Sequence, residues 1–341
     1  MKNLRRILFD GFLFGYTLGF FLIIFIHPTH HDDLQLGINA LISLGLFIVG
    51  ASAAEILHRL HIDTLGKILF QPSTKLKEEA PTKWYRTFWG WQLIVGLVVT
   101  FYLGKVETRF QISELIDPDG LAGALRLFKG VATPNLAILP EAVMAIIQTI
   151  YIAFMATALA IPIAFVLSFF SAKNLMSANA FTFSIYMFLR TSMNIIRSVE
   201  ALIWAIIASV WVGIGPFAGM MALWIHSIAS LTKQYSEFVE SVNDGPMEGI
   251  SSTGANVVQT VWFAIVPQIT LPYISFTIYR WDINVRMATI IGLVGGGGIG
   301  TMLIQYQGQA MWKEVGCLLM VIAAVVWLMD TFSAYVREAL K

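Results

Sequence analysis

PEAVMAIIQTIYIAFMATALAIPIAFVLSF occupies residues 140–169, and its only charged residue is Glu141 at the start. A helix of about 20 residues crosses the hydrocarbon core of a bilayer, so a stretch of this length spans it with room for tilt. Within lipid a helix satisfies its own backbone N–H and C=O groups, which an isolated extended segment does not. The stretch therefore predicts a membrane-spanning helix, kinked where Pro162 interrupts it.

The composition of the whole chain agrees with a membrane protein. Hydrophobic residues make up 57% of the 341 residues, charged residues 13%, and the mean hydropathy is +0.72. Typical soluble domains carry about 25% charged residues, so an ordinary soluble globule is excluded. The net charge of +1 leaves no basic face for nucleic acid. Cys317 is the single cysteine, which excludes an intrachain disulfide and a thiolate-lined metal site; no metal or cofactor site is predicted in this chain.

Several apolar runs are long enough to span a bilayer, and they predict an all-α integral membrane protein with about eight transmembrane helices. Two further apolar stretches, 181–190 and 285–305, are short or interrupted, and we expect partial or re-entrant helices there. The spanning runs are residues 7–27, 36–57, 88–104, 140–169, 197–214, 216–232, 263–280 and 315–336.

The distribution of lysine and arginine predicts the orientation, because cytosolic loops carry an excess of these residues. The excess falls on the side of the N-terminus, whose basic start leads into a first span that we interpret as a retained signal anchor. Both termini and the polar segment 233–262 are therefore predicted to be cytosolic, in a multi-pass protein of the cell inner (plasma) membrane.

A polar segment, residues 105–140, separates three leading spans from the later ones. Its residues 121–128 have helical spacing, which predicts an amphipathic helix on the outer membrane surface. We place a domain boundary at about residue 138, between a three-span region, 1–138, and a core domain, 139–341.

The cytosolic segment 233–262 carries the clearest functional pattern of the chain. It resembles the coupling loop of ABC-importer permeases, a short surface helix that ends at a glycine and is gripped by a soluble ATPase. Gly254 suits a helix C-terminus because glycine tolerates positive φ, and Pro267 suits the first turn of the following span. The candidate coupling residues are Glu248, Gly249, Gly254 and Pro267. The spacing runs through Glu248-Gly249-Ile250, three residues, Gly254, nine residues, Ala264, one residue and Val266-Pro267.

A second candidate site, the translocation path, combines charge with a run of glycines near membrane depth. Ionisable residues in spans are costly and usually mark a pathway or pair with one another, and an Asp282–Arg pair is the simpler expectation. The glycine run predicts a helix break whose freed N–H groups face an anion, or else close helix packing on small residues. The candidate path residues are Arg280, Asn284, Arg286, Gly295, Gly296, Gly297 and Gly298.

Several blocks in order resemble the phosphonate-type ABC permeases, a family that includes phosphite carriers. The resemblance covers about residues 139–338, and Gly296 is a minor departure because the family usually has alanine or a similar small residue there. The blocks are Arg197-Ser-Val-Glu-Ala-Leu-Ile-Trp-Ala205, Gly213-Ile-Gly-Pro-Phe-Ala-Gly219, the coupling loop, Pro267-Gln268, and Tyr279-Arg-Trp-Asp-Ile-Asn-Val-Arg286 through Ala288-Thr289 and Gly292-Leu-Val-Gly295.

The resemblance implies a type I ABC-importer permease core preceded by three extra N-terminal spans. It implies a homodimer or pair of permease subunits, two cytosolic ATPase subunits, and an external binding protein that delivers a phosphorus oxyanion such as phosphonate, phosphite or a phosphate-like anion. The chain has no G-x-x-x-x-G-K-[ST] motif, so ATP and Mg are expected on the partner ATPase.

Two alternatives stay open on the sequence alone. One is a permease for another small solute, such as an amino acid or organic anion. The other is a membrane-embedded hydrolase, which would need a convergent set of catalytic groups. The spans offer only scattered Glu141, Glu200, His226 and Asp330, so we expect a transporter subunit rather than an enzyme. The particular oxyanion, the choice between homodimer and heterodimer, and the role of the first three spans are not determined by these motifs.

Overall fold

The computed structural model describes residues 2–26, 36–60, 62–70 and 83–339. Within these ranges the chain is helical and contains no β-strand, as predicted. The chain forms two compact units, Met1–Gly120 and Leu121–Lys341.

The first unit is built on two closely packed helices. A Cβ atom at Gly50 would lie 2.6 Å from the Gly11 carbonyl oxygen and 2.8 Å from the Gly15 nitrogen, so these glycines allow the backbones to touch. The buried carboxylate of Asp10 accepts hydrogen bonds from Thr64 Oγ1 at 2.6 Å and from the Gly66 N–H at 2.8 Å. The helices are α1 (Lys2–Ile26), α2 (Leu36–Arg59), α3 (Leu65–Phe70), α4 (Phe88–Glu107) and α5 (Ile112–Ile116).

The second unit contains the long helices of the core domain. Its helices are α6 (Pro118–Ala132, which begins at the end of the first unit), α7 (Leu139–Phe170), α8 (Lys173–Met176), α9 (Ala180–Ser198), α10 (Ala201–Val212), α11 (Pro216–Glu240), α12 (Asp244–Ser251), α13 (Val257–Thr260), α14 (Val266–Gly292), α15 (Ile299–Gly308) and α16 (Trp312–Ala339).

Helix α7 lies at the centre of this unit and packs against α11 and α14. One face of α7 is a stripe of small residues at helical spacing, and Ala153, Ala156, Ala160 and Ala164 are fully buried on it. Small side chains let neighbouring helices approach closely, which is the main source of helix–helix attraction inside a bilayer. The apolar stretch that opens the core domain is thus both a span and the packing centre.

Five helices of the described residues are long and apolar enough to cross a membrane, or six if one bent pair counts as a single span. This is fewer than the eight spans predicted. The predicted runs 7–27 and 216–232 coincide with helices α1 and α11, which do not enter that count. The protein is an all-helical membrane protein, and the number eight remains a prediction.

Two element boundaries differ from those predicted. Helix α14 does not end at 280 but continues to Gly292, so the predicted partial helix 285–305 is divided between α14, a break and α15. Residues 181–190 belong to α9, which meets α10 at a bend of 90° to form the bent pair. A hydropathy pattern predicts neither the full length of α14 nor the bend. The polar residues of α14 interrupt the apolar run although the helix continues, because other helices pack around them. The bend between α9 and α10 is made by a short loop.

The two compact units meet in the sequence between residues 120 and 121, which is earlier than the domain boundary predicted at about residue 138. The Asn135 N–H donates to the Lys313 carbonyl oxygen at 3.0 Å, and the Asn135 amide donates to the Glu314 carboxylate at 2.9 Å. A Cβ at Gly130 would meet the Trp312 side chain at 2.7 Å. The region just before residue 138 therefore packs with the core helices. A functional boundary at residue 138, and the position of α6 on the outer membrane surface, stay predictions.

Candidate coupling helix and translocation region

The predicted coupling loop contains a separate short helix. Helix α11 continues past residue 233 to Glu240, and after a brief turn α12 runs from Asp244 to Ser251. The next helix begins at Val257 and is capped by Asn256, whose side chain accepts from the Gln259 N–H at 2.9 Å, while Gln259 accepts from the Asn256 N–H at 2.9 Å. This reciprocal capping box fixes the start of the next helix.

Gly254 has the conformation that its position predicted. Its φ of +85° lies in the left-handed region, where a side chain is strained. Pro267 lies in the first turn of α14, as predicted, and α13 and a π-helical turn, Val261–Ile265, precede it. Proline lacks an N–H and its ring crowds the preceding turn, so the wider π-turn next to Pro267 accommodates it. The proline therefore marks a register change inside a continuous helix.

The base of the coupling helix is held firmly. The Asn243 N–H donates to Gln268 Oε1 at 3.1 Å, which ties the start of α12 to α14. Met247 packs on a buried cluster that contains Tyr235 and Tyr273, whose rings stack with centroids 3.8 Å apart. A movement of α12 would therefore be transmitted to the helices that pack at this cluster.

The outer face of the coupling helix is open. A Cβ at Gly245, Gly249 or Gly254 would meet no described atom within 4 Å. Glu248 is exposed on the same helix, and beside it Val258 is 75% exposed. Around its glycines, the outward side of α12 is therefore free of contacts with the other described residues.

The predicted intramembrane ion pair is present, and Arg286 forms it. Arg286 Nη2 lies 2.5 Å from Asp282 Oδ2 and 2.5 Å from Asp330 Oδ1 on α16. Asp282 is almost completely buried, while Arg286 and Asp330 are about half exposed. Two carboxylates therefore neutralise this guanidinium.

The other two polar candidates on α14 are buried. Arg280 is 8% exposed, and its Nε and Nη2 atoms have no hydrogen-bond partner among the described residues. Asn284 is fully buried and donates to Thr157 Oγ1 and to Ser227 Oγ, each at 2.8 Å. Asn284 thus links three helices within one chain.

The glycine run forms the predicted break, residues 293–298, between α14 and α15. Gly295, Gly297 and Gly298 have φ values of +89°, +79° and +71°. The Gly298 N–H donates to Gln148 Oε1 at 3.2 Å, and the Ile299 N–H donates to Thr149 Oγ1 at 2.9 Å. Donors at the start of α15 are therefore already bonded to α7 rather than free for an anion.

Close packing surrounds these glycines. A Cβ at Gly297 would lie 2.6 Å from the Pro216 side chain, and one at Gly295 would lie 2.6 Å from Ile214. A Cβ at Gly296 would collide with Ile291, and a Cβ at Gly298 would collide with Thr149. Of the two interpretations of the glycine run, these contacts support close packing, and a path-lining role for it stays a prediction.

The structure also brings together residues that sequence reasoning did not connect. Asp330, Gln148 and Thr149 contact α14 and α15 from distant parts of the chain. Arg190 of α9 pairs with Glu240 at 2.6 Å, close to the coupling helix. Their local sequence carries no motif, although a charge inside an apolar run was a usable signal for Asp330.

The described residues of the second unit form an all-helical domain with an exposed short helix between two long helices. The chain belongs to the family of binding-protein-dependent transport system inner membrane components, whose model matches residues 164–341. It is a multi-pass inner-membrane permease subunit of an ABC importer and not an enzyme, and the family implies an ATPase and a binding protein as partners. This assignment removes the membrane hydrolase from consideration.

Among curated relatives, the phosphite transport system permease protein PtxC of Stutzerimonas stutzeri is 30% identical over 260 residues, 76% of this chain and 91% of PtxC. The phosphate-import permease protein PhnE of Mycolicibacterium smegmatis is 31% identical over 215 residues, 63% of this chain but 40% of that protein. The cryptic phosphonate transport permease PhnE2 of Escherichia coli, itself a putative assignment, is 39% identical over 119 residues, 35% of this chain and 98% of PhnE2.

Solved structures show the same fold. The inward-facing MetNI methionine ABC transporter aligns with a TM-score of 0.52 at 19% identity, covering 61% of this chain and 99% of that chain. At this identity the likeness concerns the fold alone.

Proposed function

We propose that this chain is the permease subunit of an ATP-driven importer for a phosphorus oxyanion: phosphonate, phosphite or a phosphate-like anion. The names of the similar permeases support this substrate class. Two permease subunits form the path, two ATPase subunits bind ATP and Mg, and an external binding protein delivers the anion. Both termini and helix α12 lie in the cytosol.

The exposed coupling helix carries the mechanistic part of this proposal. Its outer face is open around Gly249, while its inner face is anchored through Asn243 and Met247. A cleft of the ATPase that receives α12 can therefore move the base of α14 during ATP hydrolysis. The acidic Glu248 is exposed on the helix and available to that cleft.

The test replaces Gly249 with a residue that the permease tolerates but a closed cleft does not. A Cβ at Gly249 would meet no neighbouring atom of the described residues within 4 Å, and the position is exposed, so the permease with Gly249→Trp should insert and fold normally. In proteoliposomes with the ATPase and the binding protein, the variant should lose ATPase recruitment and the uptake of labelled phosphite and methylphosphonate. Gly249→Ala is the matched variant and should keep uptake, because alanine is the better helix former by about 1 kcal/mol.

Gly104→Trp, at another open position in helix α4, controls for the bulk of the new side chain. Normal ATPase binding and uptake by Gly249→Trp would reject the coupling role. Uptake of neither anion by the unmodified complex would reject the substrate class. Gly254→Asp is a weaker test, because the positive φ of Gly254 strains any side chain there whether or not a partner docks.

A further inference from the structure

The bend between α9 and α10 is a second break in the helical framework, separate from the glycine run. The two helices meet at 90°, and Trp204 Nε1 donates to the Ile196 carbonyl oxygen across the bend at 3.2 Å. Glu200 occupies the N-cap position of α10, yet its carboxylate makes no hydrogen bond to the first turn of that helix. The start of a twelve-residue helix therefore lies beside a carboxylate that does not cap it.

Two buried polar side chains without full hydrogen bonding lie on α14 and α11, the two helices that pack against α10. Arg280 is 8% exposed with Nε and Nη2 unpartnered, and His226 is 7% exposed with Nδ1 unpartnered, within the described part of the chain. Helix α10 packs against α14, and Trp204 of α10 packs on the same buried cluster as Trp281, the neighbour of Arg280. Buried donors without partners are rare and require an explanation, such as a functional role or a bound water or ion.

The two arginines of α14 differ in whether a carboxylate pairs with them. Arg286 is bound by two carboxylates, those of Asp282 and Asp330. None of the ion pairs among described residues includes Arg280. A passing anion would have to displace two carboxylates from Arg286, whereas Arg280 offers free donors.

The balance of charge at the bend is positive. Arg197 lies in the last turn of α9, the positive end of the α10 dipole begins after Glu200, and Arg280 lies on the helix that packs against α10, while Glu200 is the carboxylate of the bend. A guanidinium presents several N–H donors in a planar fork that matches the oxygens of a phosphate-like group. The site therefore favours a tetrahedral oxyanion.

Resting on the proposed function, we infer that Arg280 beside the α9–α10 bend holds the phosphorus oxyanion in transit, and that Glu200 is the carboxylate whose negative charge weakens this hold. The oxyanion takes the free donors of Arg280 as it enters, and the negative charge of Glu200 opposes this binding, so the hold stays weak enough for release. Because these donors are buried here, the site is reached only when the helices move during the transport cycle.

Chemical rescue tests the inference in the complete complex. The single native cysteine is buried, so Arg280→Cys is made in a Cys317→Ala background and reconstituted with the ATPase and the binding protein. Uptake of labelled phosphite should fall by about tenfold or more, which corresponds to losing one hydrogen bond to a charged group. Aminoethyl methanethiosulfonate attaches a cation and should restore uptake, whereas the sulfonatoethyl reagent, which attaches an anion, should not.

The reaction of the introduced thiol should require ATP and the loaded binding protein, because the resting site is closed. ATPase binding should stay unchanged, and Arg337→Gln, a change outside the bend, should leave uptake unchanged. If Arg280→Cys does not assemble, Arg280→Lys and Arg280→Gln replace it, and uptake should fall less with lysine. Glu200→Gln should lower the rate of uptake by removing the group that promotes release.

Uptake by Arg280→Gln equal to that of the unmodified complex would overturn the inference while leaving the proposed function intact. Equal rescue by both reagents, or no reaction during turnover, would also overturn it. Failure of the unmodified complex to carry any phosphorus oxyanion would instead overturn the proposed function, and the inference with it.

Discussion

Asn284 lies fully buried where α7, α11 and α14 meet, and its amide donates to hydroxyls on both neighbouring helices. The sequence placed it in the translocation path because it is polar and close to two arginines. Its observed contacts indicate that Asn284 holds three helices in register. Hydrogen bonds between membrane helices contribute about 0.6 kcal/mol on average and up to about 2 kcal/mol, so one residue with two such bonds affects stability measurably.

We predict that Asn284→Ala lowers the melting temperature of the purified permease in detergent. The expected loss is about 1–3 kcal/mol, because two hydrogen bonds and some packing disappear. Asn194→Ala, at an exposed asparagine of α9, is the control and should leave the melting temperature unchanged. Unchanged stability together with lost uptake would show that Asn284 acts on the solute rather than on the fold.

At the scale of elements, the start of helix α15 depends on helix α7. Thr149 accepts from the Ile299 N–H and thereby acts as a cap supplied by another helix, while Gly298 keeps the backbone close enough for that contact. A tryptophan at Gly296 would collide with Ile291 in this chain alone. Such a variant cannot separate a blocked path from broken packing, so the cap offers a cleaner test of this element.

Thr149→Val removes the accepting oxygen but keeps the shape of the side chain. We expect a loss of about 1 kcal/mol and faster hydrogen exchange at the amides that begin α15, because their acceptor is gone. Thr149→Ser should retain both properties. Thr331→Val, at an exposed threonine of α16 that bonds only within its own helix, is the control, and equal exchange in all three variants would argue against the cap.

At the scale of the whole molecule, the distribution of lysine and arginine predicts the orientation, with α12 on the cytosolic side. The docking proposal depends on this orientation, since ATP is available to the ATPase only in the cytosol. Ser252 follows the coupling helix and Ser113 lies in helix α5; both side chains are exposed. Tyr235, by contrast, is buried in the core, which makes it a poor place for a reporter.

We predict that a membrane-impermeant maleimide applied to spheroplasts labels Ser113→Cys but not Ser252→Cys. Both substitutions are made in the Cys317→Ala background, and lysis should make the thiol at position 252 reactive. The reverse pattern would invert the topology and remove the basis for ATPase docking.

The sequence by itself determined the class of fold and the backbone turn at Gly254. Apolar runs of spanning length can satisfy their backbone only as helices, so residues 140–169 predicted α7 without further information. Glycine favours a positive φ at Gly254 for a local steric reason. The spacing of the residues around Gly254 is likewise visible in the sequence. Length, periodicity and backbone sterics are local properties, and they can be read directly from the order of residues.

Only the tertiary structure decided which polar groups meet. The sequence predicted an arginine partner for Asp282. In the structure this partner is Arg286, which also pairs with Asp330 of α16, while Arg280 has no ion pair among the described residues. The tertiary structure also decided the bend at Glu200 and the capping of α15 by a residue of α7. These outcomes depend on how distant helices pack, because the cost of a buried charge is offset by whichever partner the packing brings within reach. No local pattern encodes that partner.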